Sequence, residues 1–472
     1  MTRGTAGKAE LLFECGASNE LERSVRTSRA AASTQDIYPD IPLLSSVRCF
    51  LSSLIISTLT NDLERLSESF PWIAGQLVNE GSGEGNTGIF KIKPLEKLPP
   101  LVVKDYTHDA SIPSMNDLRR ANFPFSMLDE SIIAPRKTIP RGDELVTPIF
   151  LVQANFVTGG LVLTFVGQHN SMDMTGQGQI IHLFSKACRN EEFTSEELSS
   201  GNLTRRNLIP LLDDSYEPGI ELARQVVKPS PSEETDCPPP PHPSPKCMWA
   251  YFTFPPPSLA ALKSLATKSI TLSEGGYIST DDALSAFIWQ SITRARLPRL
   301  NSTTKSTFAR AVDVRRHLGV PQTYPGIVQN MTFHAYPLQE LVEEPLGSIA
   351  SQLRLAVDPK TSSLEYNTRA LATLLNRSPD KSVVSFVATL DLSSDIMLSS
   401  WGKLDCYELD FNLGLGKPEA VRRPQFVPVE SLLYLMPKAL DGEIAVGICL
   451  RDEDMERLRA DEEFGRYATY IG

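Results

Sequence analysis

The sequence predicts a mixed α/β protein built as two halves of similar size. Three observations predict it. Two β-rich runs, Ile149–Phe156 and Leu161–Val166, are separated by the hairpin signal Thr158-Gly159-Gly160. Segments with helical spacing of apolar residues follow β-rich runs in both halves. Finally, 13 of the 35 prolines fall between Pro210 and Pro257, so the periodic pattern breaks down once, near the middle.

Residues 1–40 are polar and weakly patterned, and are expected to be loosely attached. Asn61–Ser69 reads as a helix that Pro71 ends. The turn cluster from Gly81 to Asn86 leads to a strand at Ile89–Ile92. The run Leu161–Val166 stops at Gly167-Gln168-His169. Met174, Ile180, Ile181, Leu183 and Phe184 then recur as on one helix up to about Cys188. The prolines of Cys237–Pro245 exclude helix and central strand, and predict a stiff polyproline-like crossover on the surface. Ser279-Thr280-Asp281-Asp282 supplies N-cap residues for a helix over Ala283–Arg296, whose Leu284, Phe287, Ile288 and Ile292 share a face. Met397–Trp401 reads as a strand. The expected organisation is therefore an N-terminal segment (1–40), a first domain (41–214), a linker (215–250) and a second domain (251–472).

Composition narrows the function classes. The 472 residues carry 46 basic and 57 acidic side chains, a net charge of −11, which argues against wrapping nucleic acid or anionic lipid. The apolar stretch around Phe50–Leu59 is far short of the ~20 residues that span a bilayer. The seven cysteines form no CxxC pair, and free thiols in a cytoplasmic protein are expected. Cys237 and Cys247 bracket the proline run and could approach each other.

Two short constellations carry chemistry. In His169-Asn170-Ser171-Met172-Asp173 the histidine stands where a strand gives way to a glycine-flanked turn, the kind of loop that binding and catalytic residues favour. An imidazole with its ordinary pKa near 6.5 accepts a proton at neutral pH. Asp173, one turn on, could hold the ring or face away and pair with an arginine. These residues alone leave three readings open: a catalytic base, a satisfied histidine beside a helix-capping aspartate, or a metal pair. The last lacks the further ligands zinc needs, so no metal is expected. The second constellation, Asp410-Phe411-Asn412-Leu413-Gly414-Leu415-Gly416-Lys417, is a loop rich in residues that tolerate positive φ. It lacks the spacing of a phosphate-cradling loop. Ser399 and Trp401 precede it, and Arg422 and Arg423 follow. The two constellations lie in different halves, as a reaction centre between the halves would require.

The order His169-x-x-x-Asp173 then Asp410-Phe411-x-x-Gly414 resembles the BAHD-type acyl-CoA-dependent acyltransferases. So do Leu66–Gly75, Ser279–Trp289 and Ala311–Arg315. Within that family the chain is similar to the fungal trichothecene 3-O-acetyltransferases. That likeness rests on Ile133–Thr138, Gly167–His169, Met172–Met174, Gly414–Pro424, Arg451–Met455 and the C-terminal Tyr467–Gly472, and covers about residues 40–472. The resemblance implies a two-domain chloramphenicol-acetyltransferase-like fold with an active-site channel between the domains. It implies acetyl-CoA as cosubstrate, no bound cofactor, a small-molecule alcohol acceptor such as a trichothecene-like sesquiterpenoid, and a monomer. It assigns His169 as general base in direct transfer, Asp173 as its structural orienter paired with Arg315, Asp410 as structural, and Ser399 or Trp401 as oxyanion donor. An amine or unrelated acceptor, or a binding protein without turnover, are the alternatives. Assembly-line condensation would need carrier domains for which the chain has no room. The chain departs from the family pattern at Asn412, where glycine is usual, and at Leu413, where plant members have an aromatic; asparagine is the non-glycine residue that best tolerates left-handed φ. Because coenzyme A is anionic, a −11 protein needs a local basic patch at the channel mouth, and Lys417, Arg422 and Arg423 are the candidates.

Overall fold

A computed structural model describes residues 20–27, 42–95, 101–139, 148–228, 245–270 and 277–472, with side chains from residue 52 onward. Two sheets organise it. The first has five strands in the order Pro418–Arg422, Glu20–Thr27, Gly160–Gln168, Phe150–Val157, Val102–Asp105. Its centre is the expected hairpin, paired from Phe150↔Gly167 to Val157↔Gly160, with Gly159 at φ +83° in the turn, where a side chain would be strained. Both faces of these strands are buried, which explains their nearly unbroken apolar runs.

Two features differ from the sequence expectation. Glu20–Thr27, within the segment expected to be loose, pairs with Gly160–Gln168 on one side and Pro418–Arg422 on the other. The helix expected at Asn61–Ser69 begins at Pro42 and runs to Ser69. Serines and threonines hide its period in the sequence, yet they fit a helix when they bond back to it, as Ser67 Oγ does by donating to the Leu63 carbonyl at 2.8 Å. This helix lies along helix Met174–Cys188 and, with Phe70 just after it, places Leu59 and Leu66 in one buried cluster with Phe165 and Phe184.

The second sheet has seven strands in the order Thr469–Tyr470, Cys247–Phe254, Ile444–Arg451, Leu432–Leu435, Ile396–Ser400, Lys305–Asp313, Gln329–Pro337. Helix Thr280–Arg296 packs on it as the sequence implies. Ser279 caps that helix in a reciprocal box with Asp282, and Trp289 stacks near Phe308 while its indole donates to Ser306.

The chain reaches the later half before the proline run. Arg369 Nε donates to the Pro210 carbonyl at 3.1 Å, Arg377 Nη1 to the Tyr216 carbonyl at 2.7 Å, and Val226 bridges to Val384. The prolines of 238–243 and Cys237 lie outside the described residues. Cys188, Cys247, Cys406 and Cys449 carry free thiols. Among the described residues no helix is long and apolar enough to cross a membrane.

Candidate active site

Strand Gly160–Gln168 ends in a turn tied to one carbonyl. Gln168 O accepts from Ser171 N at 2.9 Å, Met172 N at 3.1 Å and Ser171 Oγ at 2.7 Å. The turn delivers Asp173 to the N-cap of helix Met174–Cys188, where Oδ1 accepts from Gly176 N at 2.8 Å.

The Asp173 carboxylate is taken up by partners other than the histidine. Arg315 donates to both of its carboxylate oxygens at 2.9 Å, and Val328 N donates to Oδ2 at 2.7 Å. The pair is buried, Asp173 at 3% and Arg315 at 0% exposure. Arg315 spends all five N–H groups: two on Asp173, the others on Asp313 Oδ1 at 2.9 Å and the carbonyls of Tyr324 at 3.0 Å and Gly326 at 2.5 Å. Burial alone would lower its pKa, but Asp173 and then Asp313 outweigh that and hold it above the ordinary arginine value. This satisfied network is what makes a buried charge pair tolerable. Gly176 lets it close, since a Cβ there would stand 2.1 Å from the Pro325 carbonyl oxygen.

His169 is enclosed by protein but keeps part of its surface open. Burial pushes its pKa below 6.5. Hydrogen bonding to its own backbone, the Asp173 charge and the Met172 backbone pull the other way, and the Arg423 cation adds to the depression. The imidazole is therefore neutral at pH 7.

Ser399 and Trp401 stand at the end of strand Ile396–Ser400, which runs parallel to both neighbours. The indole of Trp401 donates to Ser399 Oγ at 3.0 Å, which links the two side chains. Between them, Ser400 Oγ donates to Asp281 Oδ2 at 2.5 Å.

The Asp410 loop sits at the other end of helix Met174–Cys188. The Asp410 carbonyl accepts from Ser185 Oγ at 3.0 Å and Arg189 Nη1 at 2.8 Å, and its carboxylate accepts from Asn412 N at 2.8 Å. Phe411 is buried between Phe165 and Phe184. Asn412 adopts φ +52° and its Nδ2 donates to the Cys188 carbonyl at 3.1 Å, capping a helix end in a way glycine could not.

Arg422 and Arg423 do not form the exposed patch expected of them. They are 4% and 1% exposed. Strand Pro418–Arg422 is the edge of the first sheet and leads into aromatic side chains, so Arg422 lies 5.3 Å from the Tyr251 ring centroid and Arg423 4.3 Å from that of Phe426. Arg423 also donates to Thr138 Oγ1 at 3.2 Å. Lys417 is at the surface, 2.6 Å from Glu408. Among the described residues no three His, Cys, Asp or Glu side chains gather as a metal site would need. The motif reading missed Val328 N, a backbone donor without a sequence signal, and Arg205, which stands in no motif and donates to the Ser171 carbonyl at 2.7 Å.

A family model described as the trichothecene 3-O-acetyltransferase-like N-terminal domain matches residues 44–188, which include His169 and Asp173. The chain is 61% identical over 423 residues to an O-acetyltransferase, dmxR13, of Cryptosporiopsis sp., covering 89% of this chain and 91% of that one. It is 53% identical to trichothecene 3-O-acetyltransferase TRI101 of Fusarium sporotrichioides, over 89% and 90% of the two chains. The chain belongs to the trichothecene 3-O-acetyltransferase-like family of O-acetyltransferases. The crystal structure of F. graminearum TRI101 complexed with coenzyme A and deoxynivalenol matches this acetyltransferase with a TM-score of 0.87 at 45% identity, covering 98% of each chain. Vinorine synthase, at 15% identity and a TM-score of 0.63, shares the acetyltransferase's fold alone.

Proposed function

We propose that this acetyltransferase moves the acetyl group of acetyl-CoA onto a secondary hydroxyl of a trichothecene-like sesquiterpenoid, the 3-hydroxyl foremost. The observation that carries the mechanism is His169: neutral, partly open, and set on a turn whose aspartate is fully engaged elsewhere. A neutral imidazole carries a hydrogen on one ring nitrogen only, which leaves the other to accept a proton. His169 takes the hydroxyl proton as the alcohol oxygen bonds to the thioester carbonyl carbon. The carbon–sulfur bond of the tetrahedral intermediate then breaks, and the imidazolium returns the proton to the departing thiolate, with no acyl-enzyme. Ser399, whose oxygen already accepts from Trp401, keeps its hydroxyl hydrogen to donate to the oxyanion. Asp173, Arg315 and Asp410 are structural. Of the three cations considered for coenzyme A, Lys417 is the one with surface access, and a phosphate would compete with Glu408 for it.

The acceptor and cosubstrate are carried over from relatives: TRI101 is named for trichothecene 3-O-acetylation and has been crystallised with coenzyme A and deoxynivalenol. A second reading, an unrelated hydroxylated metabolite as acceptor, is favoured by the more identical relative, whose name specifies only O-acetyl transfer. We further propose domains over 41–214 and 251–472, with strands Glu20–Thr27 and Pro418–Arg422 both joining the first sheet, and a monomer in the cytoplasm.

The test mixes purified protein with acetyl-CoA and a panel of terpenoid and unrelated alcohols and follows free thiol. Alcohol-dependent release that vanishes in His169→Ala supports the enzyme and its base. Release indifferent to that substitution sinks the base, and the alcohol with the highest kcat/KM separates the two acceptor readings.

A further inference from the structure

The turn that carries His169 is held at a second point. Arg315 grips its last residue through the Asp173 carboxylate. Its middle is gripped by Arg205, whose Nη1 donates to the Ser171 carbonyl at 2.7 Å. That carbonyl belongs to a buried residue, and the amides of Ser171 and Met172 are both committed to Gln168. The carbonyl's direction is therefore a consequence of where Arg205 stands.

Arg205 is itself confined from two sides. Its guanidinium lies 4.4 Å from the ring centroid of Trp72, and that indole is anchored by donating to the Gly201 carbonyl at 2.8 Å. Gly201 in turn is pressed against Phe70, so closely that a Cβ would meet the ring at 2.3 Å. On the other side Arg205 hydrogen-bonds the side chain of Tyr324, a buried residue whose backbone carbonyl receives Arg315 Nε at 3.0 Å. Thr323 Oγ1 adds a bond to Ser200 Oγ at 2.9 Å beside this junction. The two arginines thus meet through one residue, Tyr324, and hold the five-residue stretch His169–Asp173 at its third and fifth positions.

We infer that Arg205 is a positioning residue for the reaction: through the Ser171 carbonyl it sets the orientation of the turn, and with it the imidazole of His169. This rests on the reading of His169 as the base. Without the guanidinium, the buried Ser171 carbonyl lacks its donor. The peptide rotates to find another, and the ring two residues before it swings with the turn. An error of about 1 Å at a reacting group costs on the order of a hundredfold in rate.

The experiment compares Arg205→Gln, Arg205→Lys, Arg205→Ala and His169→Ala with the parent chain. Turnover of acetyl-CoA with an accepted alcohol is measured alongside the melting temperature. Expected for Arg205→Gln is a kcat lower by roughly tenfold to a hundredfold with KM for acetyl-CoA little changed, because the fault lies at the base and not in binding. Arg205→Lys, which keeps a cation of similar reach, recovers part of the loss, and added guanidinium raises kcat of Arg205→Ala but not of the parent. A folded Arg205→Gln with parental kcat overturns the inference. So does a loss of kcat that merely follows the folded fraction, with no response of Arg205→Ala to guanidinium. If Arg205→Gln does not fold, Arg205→Lys decides by the same kcat criterion. Turnover surviving in His169→Ala overturns the base reading itself; an inactive His169→Ala beside a fully active Arg205→Gln overturns the role of Arg205 alone.

Discussion

Replacing Asp173 by asparagine separates a structural aspartate from a catalytic one. Asparagine keeps the size of the side chain, and its Oδ1 can still cap Gly176. Its Nδ2, however, now points donor hydrogens at Arg315 Nη1 and Val328 N, which both donate to Asp173 Oδ2. The substitution therefore costs one charge-assisted bond outright, leaves a buried backbone N–H unpaired, and leaves Arg315 with Asp313 as its remaining carboxylate. Breaking one partner of a buried ion pair costs about 3–5 kcal/mol. At 2–4 °C per kcal/mol for a domain of 150–250 residues, the melting temperature should fall by roughly 6–20 °C. The assay is thermal melting by circular dichroism, with kcat measured well below both transitions and normalised to folded protein. The expected result is a large loss of stability with turnover reduced by displacement of the turn. An Asp173→Asn protein that melts within roughly 2 °C of the parent would refute this reasoning, whether it is active or not.

Burial holds the His169 pKa below 6.5, so the acid limb of kcat/KM for the alcohol should be centred below pH 6.5, and a limb centred above 6.5 contradicts it. Ser399→Ala should lower kcat by about 10²–10³-fold with an unchanged melting temperature, and Trp401→Phe should cost less because the indole acts through Ser399; a loss under roughly threefold for Ser399→Ala would remove it from the mechanism. Asn412→Ala should destabilise by about 2–3 kcal/mol, combining a left-handed φ with a lost helix-end bond, whereas Asn412→Gly loses the bond and relieves the φ; urea midpoints that rank glycine no better than alanine would show that conformation at this position does not matter.

What could be read from the sequence was whatever is coded locally. The end of strand Gly160–Gln168, the turn and the helix up to Cys188 carry their own punctuation: β-rich run, glycine, N-cap aspartate, helical apolar spacing. The box of Ser279 and Asp282 is likewise local. What was not legible depends on partners far away in the chain. Strand Glu20–Thr27 reads as an ordinary polar segment; the strands it pairs with begin at Gly160 and Pro418. Arg422 and Arg423 look like surface cations because much of their cover is remote in sequence: Phe426 is near Arg423, but the rings of Tyr251 and Tyr434 come from other strands. Arg205 sits in Thr204-Arg205-Arg206-Asn207, where only the fold distinguishes it from its neighbour.

The geometry also explains why a motif remote from the reacting atoms accompanies the histidine. Helix Met174–Cys188 has 15 residues and spans about 22 Å, so the Asp410 carboxylate, at its far end, does not reach the reacting atoms at His169. The Asp410 loop controls the same helix instead. The N-terminal end is fixed by Arg315 and Val328, and the C-terminal end by Asn412 on Cys188 and by Ser185 and Arg189 on Asp410. Arg315, Val328, Asp410 and Asn412 come from the later half of the chain, while Arg65 and Glu197 add contacts to the last turn from the first half. A helix held at one end can pivot, and a pivot of a few degrees over this length moves the free end by more than an ångström. Held at both ends, its axis is set relative to the later half, where Ser399 and Trp401 reside. In the proposed mechanism the two clamps on one rigid rod therefore set where His169 stands relative to Ser399, and the loop at Asp410 has a structural part in it.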